Sequence, residues 1–377
     1  MLLWGLIFSC SSLEKKPKWI EGKTREYPSS RYLIGVGRAK ASGNPAQDQL
    51  QAEQNARAEL ARQIRTKIKS RLSIRAEEEL NRLGAEQLFR FAQEVRSSVV
   101  SQEELVLEGV EIARRYYNSK EQVYYALAVL DRKKVCPIFE QKIFNLSQEL
   151  GNYLKLAKKK EEEKDLLSCL SFLLQAKNRL KKLINLQAEG QVICGQFTRV
   201  DFSMADLIVK ESELRNSIKV MVLAFEENPY QPESRVIESH LFSLLSSYGF
   251  SVVPAPEKLR LMLPEEIQEK ISSYQLPLNQ EPDYFLLGSF ELNGLSLTQI
   301  GSHFYHFFLV GGRLDLIDFS RGEVLISIYQ PEVISSKVGR TSPQQAVLKS
   351  LSLAGEYFAN QLSQRLEEKY QIEKLGK

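Results

Sequence analysis

From Pro137 to about Gln187 the chain reads as helix almost without a break, and this run limits what the flanking parts can build. Phe139, Ile143, Leu146, Leu150, Leu154 and Ala157 make one apolar stripe at three- and four-residue steps. Leu166, Leu167, Leu170, Phe172, Leu173, Leu180, Leu183 and Ile184 make a second. Between them Lys158-Lys159-Lys160-Glu161-Glu162-Glu163-Lys164 carries no apolar side chain, as suits an exposed turn or a solvated helix. A helical hairpin and one long helix both fit. The apolar spacing is not a sustained heptad, which favours internal packing over a coiled-coil partner. Strand-like segments lie on both sides, so the run divides the chain into two α/β parts. The length of 377 residues agrees, since one core rarely grows beyond about 250–300 residues.

The part before the connector reads strand, long helix, strand, strand. Tyr32-Leu33-Ile34-Gly35-Val36-Gly37 is an apolar strand ending in glycines, and a helix follows from about Pro45. Ala56, Leu60, Ala61, Ile64, Ile68 and Leu72 give that helix one apolar stripe. Arg57, Arg62, Arg65, Lys67, Lys69 and Arg71 give it a basic face, read as solvated because Glu53, Glu59 and Glu77 to Glu79 interleave with it. A further helix is expected from about Ala85 to Val95. Leu105, Leu107, Val110 and Ile112 mark one strand, and Val123, Tyr125, Leu127 and Val129 another, with a turn at Asn118 to Glu121. Gly35-x-Gly37 lacks the third glycine and the direct helix start of a dinucleotide fingerprint. Close backbone approach is the better account of those glycines.

At the N-terminus an apolar run from Leu2 to Phe8 precedes Ser9-Cys10. It is far shorter than the ~20 residues of a membrane-spanning helix and fits the apolar region of a secretory signal. Ser9-Cys10 with Leu6 and Ile7 before it resembles a bacterial lipobox, which makes Cys10 the expected lipidation site. Acylation there would tether the chain to a membrane. Cys136, Cys169 and Cys194 show neither CxxC nor zinc-ligand spacing, and no structural disulfide is expected among them.

Pro17-x-Trp19, Tyr32 to Ala39, Ala56 to Ile64 and Tyr124 to Arg132 together resemble the bacterial LPP-twenty lipoprotein family, whose domain also begins flagellar assembly protein T, FlgT. That resemblance implies a small α/β domain on an envelope lipoprotein, with no catalytic residue to carry over.

The second part also alternates strands and helices. Ile218 to Phe225 reads as a strand buried on both faces. Val236, Ile237, Leu241, Leu244 and Leu245 mark a helix capped by Gly249. Strands follow at Phe250 to Val253, Asp283 to Leu292, Phe304 to Phe319 and Glu323 to Tyr329, with helices near Pro264 to Tyr274 and from about Pro343 to Lys369. Ile218 to Phe225, Asp283 to Ser289, Arg313 to Asp318 with Arg321 to Leu325, and Gln344-Gln345-Ala346 resemble the α/β domain of FlgT, TolB, CsgG and LpoB. No long amphipathic strands of the kind a CsgG-type pore needs are expected.

Ligands of open α/β sheets gather at strand carboxyl ends, which directs attention to the loop at 226–232. It holds Glu226, Glu227 and Tyr230 but no glycine cradle, no Lys and no nucleophile beside a base. His303 and His306, three apart on a strand, point to opposite faces and cannot share a metal without a bulge. Asp315 and Asp318 are disposed likewise, and His240 stands alone. The net charge of +4 argues against a strongly basic nucleic-acid binder.

The chain is therefore expected to be α/β: a signal peptide (1–9), a tether (10–30), an LPP-twenty/FlgT-like domain (31–136), a helical connector (137–189) and a FlgT/TolB-like α/β domain (190–377). The expected role is a non-enzymatic scaffold or assembly factor, lipid-anchored through Cys10 to the outer membrane on its periplasmic face, with envelope or flagellar protein partners. No catalytic, cofactor-binding or metal residue, no cofactor and no nucleic-acid partner is assigned, and oligomerisation stays open. The alternatives are a regulator that binds a peptidoglycan synthase, as LpoB does, and a hydrolase or binding protein whose site the sequence does not connect.

Overall fold

The computed structural model describes residues 16–22, 24–80, 109–195, 202–273, 276, 278, 281–333, 340 and 342–375. The expected helix at Ala85 to Val95 and the positions Leu105 and Leu107 lie outside them. The chain forms two compact units, Met1–Glu149 with Arg179–Met204, and Leu150–Asn178 with Ala205–Lys377.

In the first unit, β1 (Tyr32–Lys40), β2 (Val110–Asn118) and β3 (Val123–Asp131) form an antiparallel sheet in the order β1-β3-β2. Helix α1 (Pro45–Leu80) buries Ala52, Ala56, Leu60, Ile64, Ile68 and Leu72, the stripe that the periodicity marks plus one earlier turn. A Cβ on Gly35 would lie 2.5 Å from the Ala56 carbonyl oxygen, and one on Gly37 would collide with the Ala56 nitrogen and the Ala52 oxygen. The two glycines thus admit helix backbone against strand backbone. At the end of β3, Asp131 accepts from Arg31 Nε at 3.2 Å and Nη2 at 2.7 Å, which holds its carboxyl below the usual range.

The connector is a hairpin of α2 (Arg132–Glu162) and α3 (Leu166–Cys194). Its break falls in the charged run, where Lys164 adopts a left-handed conformation and Asp165 Oδ1 accepts the Ser168 N–H. The unit boundary runs through both helices. One expectation is overturned: Cys136 and Cys194 form a disulfide, with Cα atoms 5.8 Å apart. They are separated by 58 positions in sequence, and only the return of the hairpin brings them together. Cys169 is free and buried, and desolvation pushes its thiol up to about 11.

The second unit holds a mixed sheet of order β5-β4-β6-β7-β8. Its strands are β4 (Lys219–Glu226), β5 (Ser251–Pro254), β6 (Tyr284–Ile300), β7 (His303–Asp318) and β8 (Glu323–Val333). β4 runs parallel to β5 and β6, and β7 is antiparallel to β6 and β8. Val220, Val222, Ala224, Tyr284, Leu286, Leu314 and Leu316 pack in a core with α5 (Val236–Ser247) and α8 (Pro343–Tyr370). Met221, Leu223, Phe285, Leu287 and Ile317 pack on the other face against α6 (Glu257–Arg260) and α7 (Pro264–Ser272). Burial of both faces accounts for the near-continuous apolar run in β4. Helix α4 (Met204–Ser217) has no clear apolar stripe in the sequence because buried Glu211 and Arg215 occupy its inner face. There Glu211 accepts from Lys177 Nζ at 2.6 Å and Arg215 Nε at 2.9 Å.

Candidate functional site

Cys10, the expected lipidation site, lies outside the described residues. The strand-end loop is described in full, and its polar groups serve the fold. Glu226 caps α5: its carboxylate accepts the N–H groups of Val236 at 2.9 Å and Glu238 at 3.0 Å. Burial is the largest influence on this carboxyl and pushes it up to about 7 against those hydrogen bonds. The place where an anionic ligand would meet the helix N-terminus is thus filled by the chain itself. Glu227 Oε2 accepts the Leu292 N–H at 3.2 Å, Tyr230 is exposed, and Asn228 Oδ1 accepts from the Tyr230 and Gln231 backbone. Buried Glu238 is held by both terminal nitrogens of Arg260, at 2.7 and 2.8 Å.

The other polar candidates are likewise dispersed. His303 and His306 pair with Ile300 and Leu297 in an unshifted stretch of register, so their side chains leave opposite faces of β7. His240 packs against Gly355 of α8, with Nε2 3.3 Å from Ser352 Oγ. Asp315 pairs with Arg313 at 2.8 Å, whereas Asp318 closes the next turn by accepting from Ser320 and Arg321. On the basic face of α1, Arg62 is paired with Glu59 at 2.8 Å. No group of three or more His, Cys, Asp or Glu among the described residues could hold a metal ion. No described helix is long and apolar enough to cross a membrane.

A feature absent from the sequence reading is the length of the β6–β7 hairpin. The strand expected to stop at Leu292 continues to Ile300, and the ladder with β7 runs from Tyr284↔Asp318 to Ile300↔His303. The expected end of that strand at Leu292 is therefore corrected. Asn293-Gly294 reads as a turn in sequence, yet the ladder absorbs it as a register shift between Asn293 and Leu295. β4 pairs with β6 only as far as Phe290, and β8 with β7 only as far as Val310. Among the described residues the hairpin beyond those points is a two-stranded arm, met on the β7 side by a bridge from Arg340 to His306. Leu297, Ile300 and Phe304 on the arm are 55%, 56% and 53% exposed. From Leu292 to Gly312 the chain has no Asp, Glu, Lys, Arg or Pro, although 26% of its residues are charged. That silence in the charge pattern is the signal by which sequence reading could have found the arm.

Several solved structures are similar to this chain at low sequence identity. HP1454, a secreted protein of Helicobacter pylori, is similar at 11% identity over 87% of this chain and 97% of its own, with a TM-score of 0.33. Lipoprotein GNA1162 of Neisseria meningitidis is similar at 16% identity over 39% of this chain and 98% of its own, with a TM-score of 0.23. The PelC dodecamer of Paraburkholderia phytofirmans gives 21% identity over 37% and 87%, with a TM-score of 0.21. No curated protein matches. Residues 17–131 match the LPP20 lipoprotein family model. The N-terminal part of this chain is thus similar to the LPP20 lipoprotein family over residues 17–131.

Proposed function

We propose that the chain is a non-catalytic envelope lipoprotein, held at the outer membrane and facing the periplasm, that acts as a scaffold or assembly factor through its β6–β7 arm. The arm carries this reading. Past Leu292 the outer edge of β6 has left its partner strand, and neither charge nor proline blunts it. Such an edge accepts a strand from another protein, with backbone hydrogen bonds for affinity and side chains for selectivity. Exposed Leu297, Ile300 and Phe304 supply apolar grip beside that edge. The candidate polar residues support a non-catalytic role, since Glu226, Asp315 and Asp318 are engaged in capping, pairing and turn formation. The LPP20 lipoprotein domain supports a tether, for which Cys10 supplies the thiol. The Cys136–Cys194 bridge supports an oxidising compartment such as the periplasm.

The test places a photo-crosslinking residue at Ile300 or Phe304 in the native host and identifies the adduct by mass spectrometry. A flagellar basal-body component as the adduct supports the assembly reading, which rests on the likeness to FlgT. A peptidoglycan synthase would replace it with the regulatory reading. Absence of an adduct from both positions overturns docking through the arm.

A further inference from the structure

In the unit that carries the LPP20 domain, α1 and α3 line a cleft of about 160 Å³. Each helix contributes residues spaced as one face: Arg71, Ile74, Arg75 and Glu78 from α1, and Ile184, Gln187, Ala188 and Gln191 from α3. Leu72 adds to the apolar wall.

The polar groups of this cleft are mostly donors. Gln187 is only 2% exposed, and its Oε1 accepts from Arg75 Nη1 at 3.1 Å. Arg75 Nη2 donates to the Phe202 carbonyl at 3.1 Å, so two bonds orient the guanidinium. With Oε1 turned to Arg75, Gln187 Nε2 is buried and has no acceptor. An unmet buried N–H is costly, and the orphan sits in the wall of a cavity. Arg71 stands one helical turn before Arg75 and lines the same cleft.

These features select the chemistry of an occupant. The unmet amide N–H calls for an acceptor, and the positive charge of the neighbouring guanidinium favours an anionic one. The aliphatic side chains of Leu72, Ile74, Ile184 and Ala188 offer nothing to a second polar group. Two arginines against Glu78 leave the lining cationic. A cavity of about 150 Å³ holds a benzene-sized molecule, which limits a ligand here to a handful of carbons. We infer that this cleft binds a small aliphatic carboxylate, its carboxylate received by Gln187 and the arginine pair and its hydrocarbon by the aliphatic walls. A free phosphate matches the donors but leaves the apolar walls unused. A neutral alcohol of the same shape matches the walls but not the charge.

Calorimetry on the full chain with 4-methylpentanoate, 4-methylpentan-1-ol and inorganic phosphate as probes tests this, with thermal melts alongside. The carboxylate is expected to bind at millimolar concentration or below and to raise the melting temperature, with the alcohol weaker by about tenfold. Gln187→Leu, which removes both the unmet donor and the acceptor of Arg75 Nη1, is expected to bind the carboxylate about tenfold more weakly. Exposed Arg71→Ala is expected to weaken binding without moving the melting temperature, so the test survives if the Gln187 variant does not fold. Equal binding of carboxylate and alcohol, binding of phosphate alone, or unchanged affinity in both variants overturns the inference. So does absence of carboxylate binding at millimolar concentration.

Discussion

Gly37 of β1 lies so close to Ala56 of α1 that a Cβ on the glycine would collide with the alanine backbone. The contact fixes how near the long helix comes to the three-stranded sheet, and it gives the Gly-x-Gly pair a packing duty. Gly37→Ala is expected to destabilise the first unit by about 2–3 kcal/mol, as overpacking of a tight contact does. Gly151, inside α2, has open space where a Cβ would go, so Gly151→Ala is expected to stabilise by about 0.5–1 kcal/mol. Chemical denaturation of the two variants should give shifts of opposite sign.

The disulfide gives a second expectation. In the chain-entropy model, closing a loop with a sequence separation of 58 is worth about 4 kcal/mol. Replacing Cys136 and Cys194 together by Ser should lower stability toward that figure and abolish the effect of reductant on the denaturation midpoint. Cys169→Ala should leave the reductant effect in place. Thiol labelling of the folded chain should spare Cys169, whose thiol is buried and pushed up to about 11.

Glu189 sets a pH dependence. It is 3% exposed, and desolvation pushes its carboxyl from the ordinary 4.5 up to about 7, with Lys142 opposing. A carboxyl raised on folding binds more protons in the folded state. Its stabilising effect is therefore complete below about pH 4.5 and is lost as pH rises through 7. The loss is on the order of 3 kcal/mol. Denaturation midpoints across that range should fall with rising pH in the parent and fall less steeply in Glu189→Gln, where Glu226 still contributes.

The arm and the core should respond differently to truncation. Ile300→Ser and Phe304→Ser remove side chains more than half exposed and are expected to leave thermal stability unchanged. Phe290, 2% exposed and 4.9 Å from the Phe358 ring, belongs to the core, and Phe290→Ala should cost about 3–5 kcal/mol. Parallel melts of the three variants provide the check.

Periodicity made the helix at Pro45, the paired strands and the closing helix legible, because each buries a regular stripe or an alternating face. It also separated His303 from His306, since strand geometry alone decides that. What escaped depends on contacts between distant positions. Gln187 and Arg75 carry no pattern that joins them, and Cys136 and Cys194 meet only because a helical hairpin turns back. The outer half of β6 escaped for a local reason: Asn-Gly ends a strand in most settings, whereas here the ladder shifts by one and continues. Helix α4 escaped because its buried ion pair interrupts the apolar count.

The bridge between Cys136 and Cys194 also changes what a cut would do. All of α3, α2 from Cys136 onward and the turn between them lie inside one covalent ring. A single nick anywhere in that ring leaves one molecule of unchanged mass apart from the added water, and two fragments appear only on reduction. The chain can therefore be severed in the turn between these helices while its two ends, tether side and arm side, stay joined.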